Sequence, residues 1–192
     1  MNDFIDIIES LDHRFTLFIN SLNNSFLDDV MWLISSTSFG IPFYILFVFL
    51  LIRIYNPRQI IFSLLALIIV VSLCDLSAKY FFKEVFERYR PSHNLILKDQ
   101  IHLVNNYTGG KYGFVSSHAA NMAGLSSMVY FFLKQRFVKI GYLLVPFVLL
   151  VSYSRVYLGV HYVSDVFVGM LLGFLISYSL YKFIKKIKIL EI

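Results

Sequence analysis

The chain has 192 residues, of which 58% are hydrophobic, 18% aromatic and only 15% charged. Together with a mean hydropathy of +0.70, this excludes an ordinary soluble domain of that size and predicts that most of the chain sits in lipid. The formal net charge of +5 comes from Lys and Arg at the ends of apolar runs, where positive-inside bias and lipid headgroups account for it, so nucleic acid is excluded as a partner.

Residues 1–27 carry Phe4, Ile7, Ile8, Leu11, Phe15, Leu17 and Phe18 at mainly helical spacing, with Asp3, Asp6, Glu9 and Asp12 among them. The pattern predicts an amphipathic helix at the membrane interface, and a helix packed on the bundle as ordinary core fits it equally well. The acidic start lacks the positive n-region of a cleavable signal, so the segment is expected to remain in the mature protein.

Crossing the hydrocarbon core takes roughly 20 mostly apolar residues in helix. Five stretches reach or approach that length: 29–54, 59–82, 113–133, 138–157 and 162–184. The expected fold class is therefore all-α, a single-domain integral membrane bundle over 29–184 with about five transmembrane helices, preceded by the N-terminal amphipathic helix. The second stretch holds the single cysteine, Cys74, which excludes an internal disulfide framework and reads as an inert buried thiol among apolar neighbours. The same stretch places Asp75 and Lys79 four residues apart, and the cost of an unpaired charge in lipid predicts a mutual ion pair.

The connection 83–112 contains Pro91, Asn94, Asn105, Asn106, Gly109 and Gly110, the turn chemistry of an ordered outer loop. Its Lys98, His102 and Lys111 read as solvated. Tyr107, Tyr112, Tyr157 and Tyr162 read as interfacial belt residues. Arg53 and Arg58, then Lys134, Arg136 and Lys139, then Lys182, Lys185, Lys186 and Lys188 fall on one face of a five-span bundle, which makes that face cytoplasmic. The opposite, outward face receives the 83–112 loop and three clusters of polar residues.

The first cluster is Lys83 with Arg90-Pro91. Seven residues apart, the two cations share a helix face if the second span continues, and they offer an ammonium and a guanidinium fork to a phosphoryl oxyanion; interfacial snorkelling is the competing account of the pair. The second is Ser116-Ser117-His118. Either serine suits an N-cap, the free N–H groups of a helix start form an anion site, and His118 stands ready to donate a proton, although a lone histidine there is also compatible with a structural or solvated role. The third is Ser154-Arg155 followed by His161 and Asp165. At i and i+4 the carboxylate can accept from one imidazole nitrogen and leave the other free as a nucleophile. Three such groups at a membrane edge are costly without a function.

In this order and spacing, Lys83-x6-Arg90-Pro91, Ser116-Ser117-His118 and Ser154-Arg155-x5-His161-x3-Asp165 resemble the three-part signature of the type 2 phosphatidic acid phosphatase (PAP2) superfamily. The family's second motif usually reads Pro-Ser-Gly-His, and here Val115 and Ser117 replace the proline and the glycine. The resemblance implies that His161 attacks phosphorus to form a phosphohistidine, with Asp165 orienting it and His118 protonating the leaving oxygen before activating water. It further implies that Lys83, Arg90, Arg155, the Ser116 hydroxyl and the Ser117 N–H bind the phosphoryl oxygens, with no metal and no cofactor. The expected enzyme is a multi-pass lipid phosphatase of a bacterial inner membrane. Undecaprenyl diphosphate ranks first as substrate, ahead of lipid A phosphate and phosphatidylglycerophosphate or phosphatidate. A lipid phosphotransferase and a non-catalytic lipid-binding protein are the other classes that fit, while the hydropathy excludes the soluble haloperoxidases that share the motif logic.

Overall fold

The computed structural model describes residues 2–186, with side chains from residue 6 onward; the predicted roles of Asp3, Phe4 and Lys188 fall outside these. Helix α1 (Asn2–Ser21) and α2 (Ser25–Ser35) precede α3 (Ile41–Ile54) and α4 (Pro57–Phe86), and the outer loop leads to α5 (Ser117–Leu133), α6 (Gly141–Tyr157) and α7 (Val163–Lys186). Thr37–Ile54, Pro57–Phe86, Val138–Tyr157 and Val163–Lys186 are long and apolar enough to cross a membrane. Helix α5, with 17 residues, is the central helix, flanked by α4, α6 and α7.

The helix starts are chemically specified. Asn24 caps α2 by accepting from the Leu27 amide at 3.0 Å. Asn56 and Gln59 form a reciprocal capping box before α4, where Pro57 occupies a first-turn position that needs no N–H donor. Where lipid is as apolar as the side chains, helices associate through close van der Waals approach. The faces of α5 and α7 accordingly use Ala119, Ala120 and Gly124 against Gly169 and Gly173, and a Cβ on Gly173 would run into the Ala120 carbonyl. Large side chains such as Ile45, Ile68, Phe167 and Phe183 point outward as a lipid-facing belt.

The predicted first span, 29–54, is not one helix. It breaks at Ser36, which is extended at φ −78° and ψ 151°, and a 3-10 turn over Thr37–Gly40 leads into α3. The run Ser35-Ser36-Thr37-Ser38 explains the break: the Ser36 hydroxyl donates to the Leu33 carbonyl at 2.6 Å, and such bonds compete with the helical ladder. Pro42 follows in the first turn of α3, the place where proline is tolerated.

Helix α1 packs on the bundle, but through a polar stripe. Asp12, Thr16 and Asn20 are buried, while Ile7, Ile8, Leu11, Phe15 and Phe18 are exposed. At the basic end, the Tyr55 hydroxyl donates to the Phe132 carbonyl at 2.9 Å and Lys134 lies over the rings of Phe131 and Tyr181. The ends of α3, α5 and α7 that carry the basic residues are thus gathered on one side, opposite the outer loop.

Candidate active site

The site is built where α4 ends, α5 begins and the α6–α7 turn returns. The last turns of α4 widen to a π-helix over Ala78–Lys83, and Glu87, left-handed at φ 45°, stops the helix. Lys83 and Arg90 therefore do not share a helix face as predicted; a chain reversal brings them together. The returning segment is held by the Arg90 amide donating to the Lys111 carbonyl at 3.1 Å and the Gly113 amide to the Arg88 carbonyl at 2.9 Å. Lys83 Nζ donates to Ser117 Oγ at 2.7 Å, which ties the first cluster to the second.

Arg90 is buried, with its Nε donating to the Tyr112 carbonyl at 3.2 Å. Its guanidinium lies against Gly109, whose φ of +67° suits glycine and whose missing Cβ leaves room for Arg90 Nη1. Arg155, also buried, donates to the Ser35 hydroxyl through Nη1 and to the Tyr107 hydroxyl through Nη2 at 3.4 Å. Among the described residues, Arg90 Nη1 and Arg155 Nε are buried donors without a hydrogen-bond partner. Burial and the neighbouring Arg155 charge hold the Arg90 guanidinium below its ordinary pKa. Burial alone would raise the Tyr107 phenol, yet the hydrogen bond and charge of Arg155, with Arg90 beyond, hold it below its ordinary value. Two guanidiniums this close, each with an unused donor, form a field that favours an anion.

His161 is 2% exposed and its Nδ1 lies 3.4 Å from Asp165 Oδ2. The same oxygen accepts from the Tyr162 amide at 3.1 Å, and Oδ1 accepts from Arg88 Nη1 at 2.9 Å. An ionised carboxylate only accepts, so this contact assigns the proton to Nδ1 and leaves the Nε2 lone pair free. Burial, then the charges of Arg90, Arg155, Lys83 and His118, push the His161 imidazole well below its usual pKa. It is neutral at physiological pH, the state a nucleophile needs.

Ser116 is the N-cap of α5, its hydroxyl accepting from the Ala119 amide at 3.4 Å, and its own amide donates to the Asp165 carbonyl at 3.0 Å. That bond joins the second cluster to the third. His118, in the first turn of α5, lines a cavity of about 250 Å³ with Ser35, Thr37, Tyr44 and Asn121. Ser154 turns away, its hydroxyl donating to the Val151 carbonyl at 2.7 Å.

Several expectations are corrected here. Asp75 and Lys79 do not pair: Asp75 accepts from Asn121 Nδ2 at 3.0 Å and Lys79 lies 3.9 Å from Glu84. The π-helix begins between the two, at Ala78, and its wider turn removes the four-residue register the pairing required. Tyr157 and Tyr162 are not belt residues but fully buried; the Tyr157 hydroxyl donates to Asp28 at 2.7 Å. His102 is tied to the other Asp28 oxygen at 2.8 Å rather than free in solvent. Sequence reasoning missed Arg88, which bridges Asp165 and Asp12 at 2.9 and 2.8 Å, and it missed the contacts of Ser35 and Tyr107 with Arg155. The available signal for Arg88 was an arginine two residues from Arg90 at a membrane edge, in a chain whose Asp12 and Asp165 both lacked an assigned cation.

The family model described as "PAP2 superfamily" matches residues 57–189, a span that holds all three clusters. The chain belongs to the PAP2 superfamily. It is 31% identical over 178 residues, 93% of this chain and 75% of the relative, to a lipid A 4'-phosphatase of Porphyromonas gingivalis. A lipid A 4'-phosphatase of Bacteroides thetaiotaomicron is 28% identical over 88% of this chain and 75% of its own length. Among solved structures, the transmembrane PAP2-type phosphatidylglycerolphosphate phosphatase of Bacillus subtilis superposes with a TM-score of 0.70 at 25% identity, covering 95% of this chain and 88% of that one. This PAP2 protein is a membrane lipid phosphatase, a phosphoric monoester hydrolase.

Proposed function

We propose that the three clusters form one metal-independent site in which His161 Nε2 attacks the phosphorus of a lipid phosphomonoester. As the phosphoryl group transfers, Arg90, Arg155 and Lys83 stabilise the charge on its nonbridging oxygens, with the Ser116 hydroxyl and the Ser117 amide at the start of α5. Asp165 holds Nδ1–H and stabilises the charge that develops on the imidazole. His118 protonates the departing lipid oxygen, then takes a proton from the water that hydrolyses the phosphohistidine, as reversibility of acid and base roles requires. The three fixed cations supply the charge that a divalent ion supplies in other phosphatases. The observation that carries the reading is the convergence on His161 of an orienting carboxylate at 3.4 Å and of the charges of Arg90, Arg155 and Lys83.

For the substrate, the relatives favour the 4'-phosphate of lipid A or a similar phosphorylated glycolipid. The 31% identity extends over 93% of the chain, well beyond the motifs, which read only the phosphate. Undecaprenyl diphosphate, first in the sequence-based ranking, has no such support. The phosphatidylglycerolphosphate phosphatase fold match at a TM-score of 0.70 keeps that lipid as the second reading. The basic ends of α3, α5 and α7 support the reading of a site that faces outward from a bacterial inner membrane.

Phosphate release by detergent-purified protein in excess EDTA, from lipid A, phosphatidylglycerophosphate and undecaprenyl diphosphate, tests both parts. Release from lipid A above the other two, lost in His161→Ala, is the expected result. Full activity of His161→Ala overturns the nucleophile, dependence on added divalent metal overturns the metal-independent site, and preference for another lipid replaces the substrate.

A further inference from the structure

Arg88 is one of the better-connected side chains in the molecule and belongs to none of the three clusters. One guanidinium nitrogen, Nη1, donates to Asp165 Oδ1 at 2.9 Å and to the Ser164 hydroxyl at 2.7 Å; the other, Nη2, donates to Asp12 Oδ2 at 2.8 Å. Its plane lies over the Tyr162 ring at 4.0 Å, and His13 of α1 stacks near that ring at 5.2 Å. Asp12 in turn accepts from the Ser164 amide at 3.0 Å and from the Ser164 hydroxyl. Thr16 and Asn20, one and two turns further along α1, accept from the Val163 and His102 amides. The buried polar stripe of α1 thus grips the segment that carries His161 and Asp165.

The electrostatics give this chain of contacts a purpose. Asp165 is fully buried, and a carboxylate removed from water needs a charged partner to stay ionised. His161 cannot be that partner, because it is neutral before the reaction. Arg88 is the cation in direct contact with Asp165, and it is itself balanced by Asp12, so the array Asp12–Arg88–Asp165 carries one net negative charge. That is the charge complementary to an imidazolium or phosphoimidazolium at His161. The contact also orients the carboxylate, since Arg88 Nη1 occupies Oδ1 and leaves Oδ2 to the Tyr162 amide and His161 Nδ1.

We propose that Arg88 and Asp12 are positioning residues that keep Asp165 ionised and aimed at His161, which makes helix α1, outside the residues 57–189 that match the family model, a functional part of the site. The proposal rests on the assignment of His161 and Asp165 as nucleophile and orienting carboxylate.

The test is steady-state kinetics of the full chain in detergent on the better cleaved of lipid A and phosphatidylglycerophosphate, with thermal unfolding recorded for every variant. Arg88→Ala is expected to lower kcat by about 10- to 100-fold, the range found when an outer-shell partner of a functional ligand is removed, with KM changed less than about 3-fold. Arg88→Lys is expected to recover part of the loss. Asp12→Asn is expected to lower kcat less than Arg88→Ala, and to add little in the Arg88→Ala background because both act through one chain of contacts. Thr16→Val, which removes an α1 anchor away from Arg88, is expected to lower kcat less than Asp12→Asn does. Unchanged kcat in both Arg88→Ala and Asp12→Asn, or a rise in KM at constant kcat, overturns the proposal. So does a Thr16→Val loss equal to that of Asp12→Asn, which would mean general anchoring of the helix. If Arg88→Ala does not fold, Arg88→Lys and Asp12→Asn carry the same comparison. Asp165→Asn in parallel separates the two failures: full activity there removes the site assignment and this inference with it, whereas a loss there without one in the Arg88 and Asp12 variants removes the inference alone.

Discussion

Lys83 Nζ donates to Ser117 Oγ at 2.7 Å across 34 residues of sequence, so a cation at the end of α4 is delivered to the first turn of α5. The bond holds the lysine's ammonium beside the N–H groups of that turn. Lys83→Met is expected to reduce kcat/KM by about 10²–10³, the cost of one preorganised donor to a transition-state oxyanion. Ser117→Ala, which removes only the group that steers the ammonium, is expected to cost about 10-fold or less, in line with the net worth of one such hydrogen bond. Initial rates on a lipid phosphomonoester give the comparison, and equal losses would show that Ser117 contacts the phosphoryl group itself.

Removal of His118 should separate the two half-reactions. On the proposed roles, His118→Ala removes both the general acid for lipid departure and the base for water, so the phosphoenzyme is expected to accumulate when the leaving group needs no protonation. Brief reaction with a labelled aryl phosphate, followed by alkaline denaturation, should leave acid-labile label on the protein, and His161→Ala should abolish it. Label retained in the His161 variant would move the nucleophile to another residue.

His161 also links stability to pH. Its folded pKa lies well below the usual value because burial and the neighbouring charges of Arg90, Arg155 and Lys83 disfavour the imidazolium, whereas in the unfolded chain it titrates near its ordinary value of about 6.5. Below about pH 6.5 the unfolded state therefore binds the extra proton, and stability is lost as pH falls, with no penalty from this group above that value. The unfolding temperature in detergent should drop between pH 7.5 and pH 5, and His161→Gln should flatten that drop. An identical slope in the variant would assign the pH dependence to other groups.

Gly109 and Gly110 supply a matched pair. An alanine at 109 adds the cost of an L-residue at φ +67°, about 1–2 kcal/mol, and its Cβ meets Arg90 Nη1, whereas at 110 the nearest atom, Arg90 Nη2, is 4.0 Å away. Gly109→Ala is expected to raise KM and lower kcat by about 10-fold or more through displacement of Arg90, while Gly110→Ala should behave as wild type. Similar kinetics for the two variants would remove Gly109 from the shaping of the arginine site.

The sequence by itself determined the membrane class, the helical architecture and the cluster residues, because hydropathy and spacing are properties of one segment at a time. Apolar length reveals that Pro57–Phe86 and Val163–Lys186 can span a bilayer, and a cap such as Ser116 is legible from its neighbours. Local chemistry was also present at Ser35-Ser36-Thr37-Ser38, where hydroxyls end α2, although apolar averaging over 29–54 concealed it. The tertiary structure alone decided which polar groups meet. The i, i+4 spacing of Asp75 and Lys79 suggested a pair, but a π-turn and the approach of α5 gave Asp75 to Asn121 instead. Tyr157 has the composition of a belt residue and is buried because Asp28 of α2 reaches its hydroxyl. Arg88 finds Asp12 and Asp165 across 76 and 77 residues. Such partners are chosen by helix packing, which must satisfy every buried charge at once, and a one-dimensional pattern carries no record of that choice.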